Sequence, residues 1–155
     1  MRTVMTYGTY DIFHYGHVRL LERARALGDR LVVVLSTDEY IEESKGQRPF
    51  FNYAERKTVL ESLKCVDKVV VGRNFHDREK YIDEFDVDTF AIGDDWKGKF
   101  DFLKDLYDVD VVYLPRTEGI STTAIKEGLK IISVAESMIA SIVFYCKKCK
   151  AVFIL

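Results

Sequence analysis

Residues 3–36 read TVMTYGTYDIFHYGHVRLLERARALGDRLVVVLS, and this stretch decides the fold. It opens on a short apolar run, Thr3–Tyr7, and passes into a glycine-bounded segment, Gly8–Gly16. A helical pattern follows over Gly16–Leu27, where Leu20, Leu21, Ala24 and Leu27 recur at helical spacing. Arg19, Glu22, Arg23 and Arg25 lie mostly on its other side, and Gly28 stands where a left-handed C-terminal cap would. A second apolar run, Leu31–Leu35, comes next. Neither run alternates apolar with polar residues, which is how a strand covered on both faces reads. Strand, helix and strand in that order make the unit of a parallel sheet.

The unit repeats outward. Lys68–Val71, Thr89–Ile92 and Val109–Leu114 are further strand candidates. Helices are expected over Tyr53–Leu63, His76–Phe85, Phe100–Tyr107 and Thr122–Leu129, the first opened by Asn52 and Glu55 at capping-box spacing. This is an α/β pattern: a Rossmann-like open parallel sheet of about five strands with helices on both faces, within residues 1–130. Ligands of such sheets bind beyond the carboxyl ends of the strands. Those ends open into Gly8–Gly16, Ser36–Arg48, Gly72–Phe75, Gly93–Lys99 and Pro115–Ser121, and most of the unusual residues fall there.

Composition narrows the function. The chain has 155 residues, 48% of them hydrophobic and 31% charged, enough for one core without disulfides or metals. A net charge of −2 provides no electrostatic footprint for duplex nucleic acid. Three cysteines form no disulfide framework and point to a reducing cytosol, so a cytoplasmic location is expected. Met1–Asp11 lacks the apolar core of a signal peptide, and no run of 18 uninterrupted apolar residues spans a membrane.

Two of the three histidines, His14 and His17, flank Gly16 in the first loop. At a helix start they would border free N–H groups and the positive end of the dipole, a place for an anion. The same spacing also suits a pair of capping or core histidines, or, less well, a metal pair. The last loop joins Arg116 to Ser121, Thr122 and Thr123, either as an N-cap or as a phosphate cradle. Gly93–Lys99 matches a phosphate-binding loop up to its lysine. It fails at Phe100, where a hydroxyl is needed, and Asp94 and Asp95 would repel phosphates. Cys146 and Cys149 are half a zinc site with no second pair.

The H-x-G-H of His14–His17 and the RTEGISTT of Arg116–Thr123 resemble the two signatures of the cytidylyltransferases, within the H-x-G-H nucleotidyltransferase superfamily. GTYDIFHYGH, LLERARALGD, STDEY, GDDWKGKFDFLKD and YLPRTEGISTT together resemble the branch whose acceptor is sn-glycerol 3-phosphate, over about Met1–Leu129. The resemblance implies transfer of a cytidylyl group from CTP to that acceptor, with Mg²⁺ accompanying the nucleotide. The products are CDP-glycerol, a teichoic acid precursor for the cell wall, and pyrophosphate. It also implies a homodimer. Carried over by motif, His14, His17, Lys45 and Arg116 are catalytic. Thr9, Tyr10, Tyr15, Gly16, Asp94 and Asp95 bind the nucleotide with the two histidines, as do Arg116, Thr117, Glu118, Gly119, Ile120, Ser121, Thr122 and Thr123. Lys45 and Arg78 hold the acceptor, and no residue is assigned to a metal. Lys45 reads equally as a solvated loop lysine. The competing functions are transfer of a cytidylyl or adenylyl group to another phospho-alcohol, and a nucleotide-binding module without catalysis.

The chain departs from the family in two places. SKGQRPFFN carries one extra residue in the second loop, so a second family lysine falls on Gln47 or Arg48. Residues 131–155 extend beyond the last family helix. Ile131, Val134, Ala135, Met138, Ile139, Ile142 and Val143 form a broad apolar face, expected on a helix. That face suits packing on the domain, a wider dimer interface or, with Lys147, Lys148 and Lys150, a membrane surface.

Overall fold

A computed structural model describes residues 1–74 and 76–133. Five strands form one parallel sheet: β1 (Thr3–Gly8), β2 (Arg30–Ser36), β3 (Lys68–Gly72), β4 (Thr89–Gly93) and β5 (Asp110–Leu114). Each lies within one residue of its expected ends. The spatial order is β3-β2-β1-β4-β5. Thr3 to Gly8 pair with Arg30 to Leu35 on one side of β1, and Val4 and Met5 pair with Thr89 and Phe90 on the other. The winding therefore reverses between β1 and β4. In open α/β sheets the ligand crevice lies at that reversal, outside the carboxyl ends. The loops after β1 and β4 border it.

The helices in this unit are α1 (Tyr15–Arg25), α2 (Asp38–Lys45), α3 (Tyr53–Glu61), α4 (Asp77–Phe85) and α5 (Phe102–Tyr107). They cover both faces. Leu31, Val33 and Leu35 of β2 join Leu21, Ala24 and Leu60 of α1 and α3 in one core. Val32 and Val34 turn the other way, to Tyr81, Ile82 and Leu103 of α4 and α5. The five apolar side chains of β2, Leu31 to Leu35, are fully buried, which is why that strand reads as an unbroken apolar run. Each contributes roughly 1.5–3 kcal/mol from burial.

Three expectations are corrected. Helix α2 was expected to be loop. Thr37 caps it by accepting from Tyr40 N at 3.2 Å, and Gly46 ends it in the left-handed region at φ 70°. Its eight residues bury only Ile41, too little apolar periodicity to read as a helix. Gly28 is not a left-handed cap, because α1 closes through Ala26 in right-handed geometry. Gly28 is needed for close approach instead: a Cβ there would stand 2.6 Å from the Arg2 carbonyl oxygen. Helices α4 and α5 start later than expected, since His76 precedes α4 and Phe100 is a core residue before α5.

The chain divides into two compact units, Met1–Gly119 and Ile120–Leu155. In the second, residues 122–133 are helical, and Ser121 Oγ caps the helix by accepting from Ala124 N at 3.1 Å. The extension beyond 133, with Cys146 and Cys149, lies outside the described residues. Among the described residues no helix is long and apolar enough to cross a membrane.

Candidate active site

The loop between β1 and α1 is held in an unusual shape. Tyr10 and Ile12 both adopt left-handed backbone, at φ 51° and 46°. For a β-branched residue this is a genuine outlier, and each such residue costs about 1–3 kcal/mol. Buried contacts impose it. Tyr10 is packed into the core beneath β1, while the Asp11 carboxylate accepts the backbone N–H groups of Phe50 and Phe51 at 2.9–3.1 Å. Arg56, only 2% exposed, completes the arrangement. Its guanidinium donates to Thr9 O at 2.6 Å, Ser36 O at 2.9 Å, Phe51 O at 3.0 Å and Asp38 Oδ1 at 2.6 Å. One cation thus ties together the loops after β1 and β2 and the starts of α2 and α3. Sequence reasoning missed both Asp11 and Arg56. The one signal for Arg56 was its i, i+4 spacing to Leu60 on the buried side of α3.

That loop delivers the two histidines to the N-terminus of α1. His14 is the N-cap, and its Nδ1 accepts Gly16 N–H at 3.1 Å. His17, at the third helical position, accepts His14 N–H through its own Nδ1 at 3.4 Å. The pair therefore forms a capping box built of imidazoles. Because each Nδ1 is an acceptor, each ring carries its proton on Nε2. The rings stack with centroids 3.9 Å apart, and Tyr10 and Phe13 each lie 5.4 Å from the His17 ring. Burial, and next the neighbouring His14, pull the His17 pKa down to about 4. Burial, then the Arg116 charge, lower that of His14. At neutral pH the site holds two uncharged N–H donors on one helix start. The capping reading of this motif is seen on the two Nδ1 atoms.

The other expected residues stand in several places. Lys45, the last residue of α2, reaches Thr9 Oγ1 at 3.2 Å, so it belongs to the first loop's surroundings and is not merely solvated. Arg116 is exposed, with its charge felt at His14. Tyr15 and Gly16 begin α1. Asp94 and Asp95 form a short 3₁₀ turn with Trp96 directly after β4, bordering the crevice at the sheet reversal. Gly93 leaves room for them, since a Cβ there would stand 2.5 Å from Asp95 Oδ1. Tyr113 fastens the far end of that loop, donating to Asp101 at 2.7 Å and accepting from Phe100 N at 3.2 Å. Arg78 is placed elsewhere than a loop cation would be. It is 1% exposed on α4, with its guanidinium 4.9 Å from the Phe100 ring and 5.6 Å from the Tyr7 ring. Burial lowers its pKa to about 10, which leaves it charged at neutral pH. Thr117, Glu118 and Gly119 continue the last loop, and Gly119 is left-handed at φ 79°. Ile120, Ser121, Thr122 and Thr123 fall in the second unit. Among the described residues no group of three or more His, Cys, Asp or Glu side chains is set to hold a metal ion.

Comparison with known proteins decides the family. A family model described as cytidylyltransferase-like matches residues 5–128. The chain belongs to the cytidylyltransferase-like family. It is 52% identical over 129 residues to the glycerol-3-phosphate cytidylyltransferase of Bacillus subtilis strain 168, covering 83% of this chain and 98% of that protein. The corresponding enzyme of Staphylococcus aureus strain NCTC 8325 / PS 47 is 51% identical, with 83% and 96% covered. Among solved structures, a lipopolysaccharide core biosynthesis protein from Thermoplasma volcanium GSS1 superposes with a TM-score of 0.68 at 30% identity, covering 76% of this chain and 99% of that one.

Proposed function

We infer that this enzyme transfers a cytidylyl group from CTP to sn-glycerol 3-phosphate, releasing pyrophosphate and forming CDP-glycerol, the activated unit for a teichoic-acid-type glycerol phosphate polymer. The observation that carries this reading is the pair of neutral Nε2–H donors at the start of α1, with Lys45 on Thr9 of the same loop and the Arg116 charge acting on His14. The chain's half-identity to glycerol-3-phosphate cytidylyltransferases supports the choice of acceptor.

The chemistry follows from the charges. The acceptor phosphate has a second pKa near 6, so at pH 7 it is already a dianion and needs no general base. One of its oxygens attacks the α-phosphorus in line, and the bond to the bridging oxygen breaks as pyrophosphate leaves. Mg²⁺ arrives bound to the triphosphate as part of the substrate. The protein's work is alignment and neutralisation. His14 and His17 donate to the phosphate oxygens on which charge accumulates, and being uncharged they follow that change without reorganising. Lys45 meets the incoming phosphate and Arg116 the triphosphate. Arg78, behind Tyr7, adds positive potential on the acceptor side. Asp94 and Asp95 offer acceptors to the ribose and base across the crevice.

Pyrophosphate release tests the reading, with CTP or ATP crossed against glycerol 3-phosphate, phosphoethanolamine and phosphocholine. Turnover is expected with CTP and glycerol 3-phosphate. Preference for another alcohol or for ATP would reassign the substrate, and no release with any pair would indicate a binding module.

A further inference from the structure

Helix α1 has a second attachment to the site, two turns beyond its histidines. Arg23 Nη1 donates to the Pro115 carbonyl oxygen at 2.6 Å and lies 3.5 Å from Thr117 Oγ1. Those two acceptors bracket Arg116. The neighbouring arginines of the helix act differently: Arg19 pairs with Glu22 and Arg25 with Asp67. Among the described residues Arg23 has no carboxylate within ion-pair distance, and both its contacts are neutral groups of one loop.

We infer that Arg23 is a positioning residue for the nucleotide site: by holding Pro115 and Thr117 on α1, it sets where Arg116 stands relative to His14 and His17. The physical case is rigidity. Six residues separate His17 from Arg23, about 9 Å along a helix rising 1.5 Å per residue. Both ends of that span are fastened to groups that handle phosphate, one through the cap and one through Arg23. A helix is stiffer than the exposed loop Pro115–Gly119, so the loop takes its position from the helix. Misplacing a phosphate-binding group by an ångström weakens both binding and alignment. The Arg116 charge also acts on His14, lowering its pKa after burial.

This inference rests on the proposed transfer reaction, and its test separates the two. MgCTP affinity is measured by calorimetry, and kcat, KM and melting temperature are measured on the full chain. The variants are Arg23→Met, Arg23→Lys, Arg116→Lys and the Arg23→Met/Arg116→Lys double, with Arg19→Met as control on the same helix. Arg23→Met is expected to weaken MgCTP binding about tenfold and to lower kcat, with melting shifted by about 2 °C or less. Arg23→Lys, which keeps one charged donor, recovers part of the loss. The double variant loses less than the product of the singles, because Arg23 acts through Arg116. Arg19→Met behaves as the parent. The inference is overturned if Arg23→Met binds and turns over MgCTP within twofold of the parent, if only its melting temperature falls, or if the two losses multiply. Should Arg23→Met fail to fold, Arg23→Gln, which keeps the stem without the reach, carries the same comparisons. A parent that binds MgCTP but releases no pyrophosphate with glycerol 3-phosphate would defeat the acceptor reading, and calorimetry would still decide on Arg23.

Discussion

At His17 one imidazole serves the fold through one nitrogen and, in the proposed reaction, the chemistry through the other. Nδ1 closes the capping box, and in the proposed reaction Nε2 offers its proton to substrate. His17→Ala should therefore lower kcat about 10²–10³-fold, by analogy with loss of one oxyanion-type donor. CTP affinity should change little, because the interaction strengthens in the transition state. Stability should fall by about 1 kcal/mol for the lost cap. His17→Asn, which restores an acceptor for the cap, should regain stability without turnover. Turnover within a few-fold of the parent in a folded alanine variant would end the catalytic role. At Lys45 the expectation is different. Lys45→Ala should raise KM for glycerol 3-phosphate or lower kcat about tenfold by removing a charge-assisted contact. A change in CTP affinity alone would move Lys45 to the other substrate. The histidines were legible because H-x-G-H is a local pattern. Arg56 was not, because its partners Thr9, Ser36, Phe51 and Asp38 are scattered along the chain. Arg56→Met leaves those buried acceptors without their donor and should destabilise the protein by about 3–5 kcal/mol in chemical denaturation.

Helix α1 responds to pH as a unit, since both of its capping imidazoles must stay neutral to accept. Their folded pKa values lie below the ordinary 6.5, His17 at about 4, so the unfolded chain takes up protons first as pH falls. The contribution is full above about pH 6.5 and is lost as pH drops toward about 4, on the order of 2–3 kcal/mol from His17. Urea midpoints of the parent should fall relative to those of His17→Asn across that range as the solution becomes acidic. A constant gap would place the proton elsewhere. Helix ends also show what periodicity misses. α2 escaped because its eight residues bury one side chain, and its two caps specify it instead. Gly28 looked like a cap because it follows an amphipathic run, but whether a glycine supplies a positive φ or merely space depends on its neighbour in the fold. The Arg2 carbonyl is that neighbour, so Gly28→Ala should destabilise by about 1–3 kcal/mol despite an unstrained φ.

At the scale of the whole molecule, every strand among the described residues and every proposed catalytic group precedes residue 120. Deleting residues 131–155 should therefore leave turnover within a few-fold of the parent, while any change in association appears in the mass measured by light scattering. Lost turnover in a folded, correctly assembled truncation would assign the extension to the reaction. The sequence by itself determined the parallel α/β architecture, because burial on both faces forces apolar runs of strand length between amphipathic helices. It also marked the histidine and RTEGISTT loops, whose chemistry lies in adjacent residues. Tertiary structure alone decided the strand order and with it the crevice between β1 and β4, since pairing is a contact between distant segments. It alone decided which nitrogen of each histidine carries the proton, because the cap makes the other an acceptor. It alone brought Arg56 beneath the first loop and Arg23 onto the last, since a side chain's partners across the fold leave no trace in its neighbours along the chain.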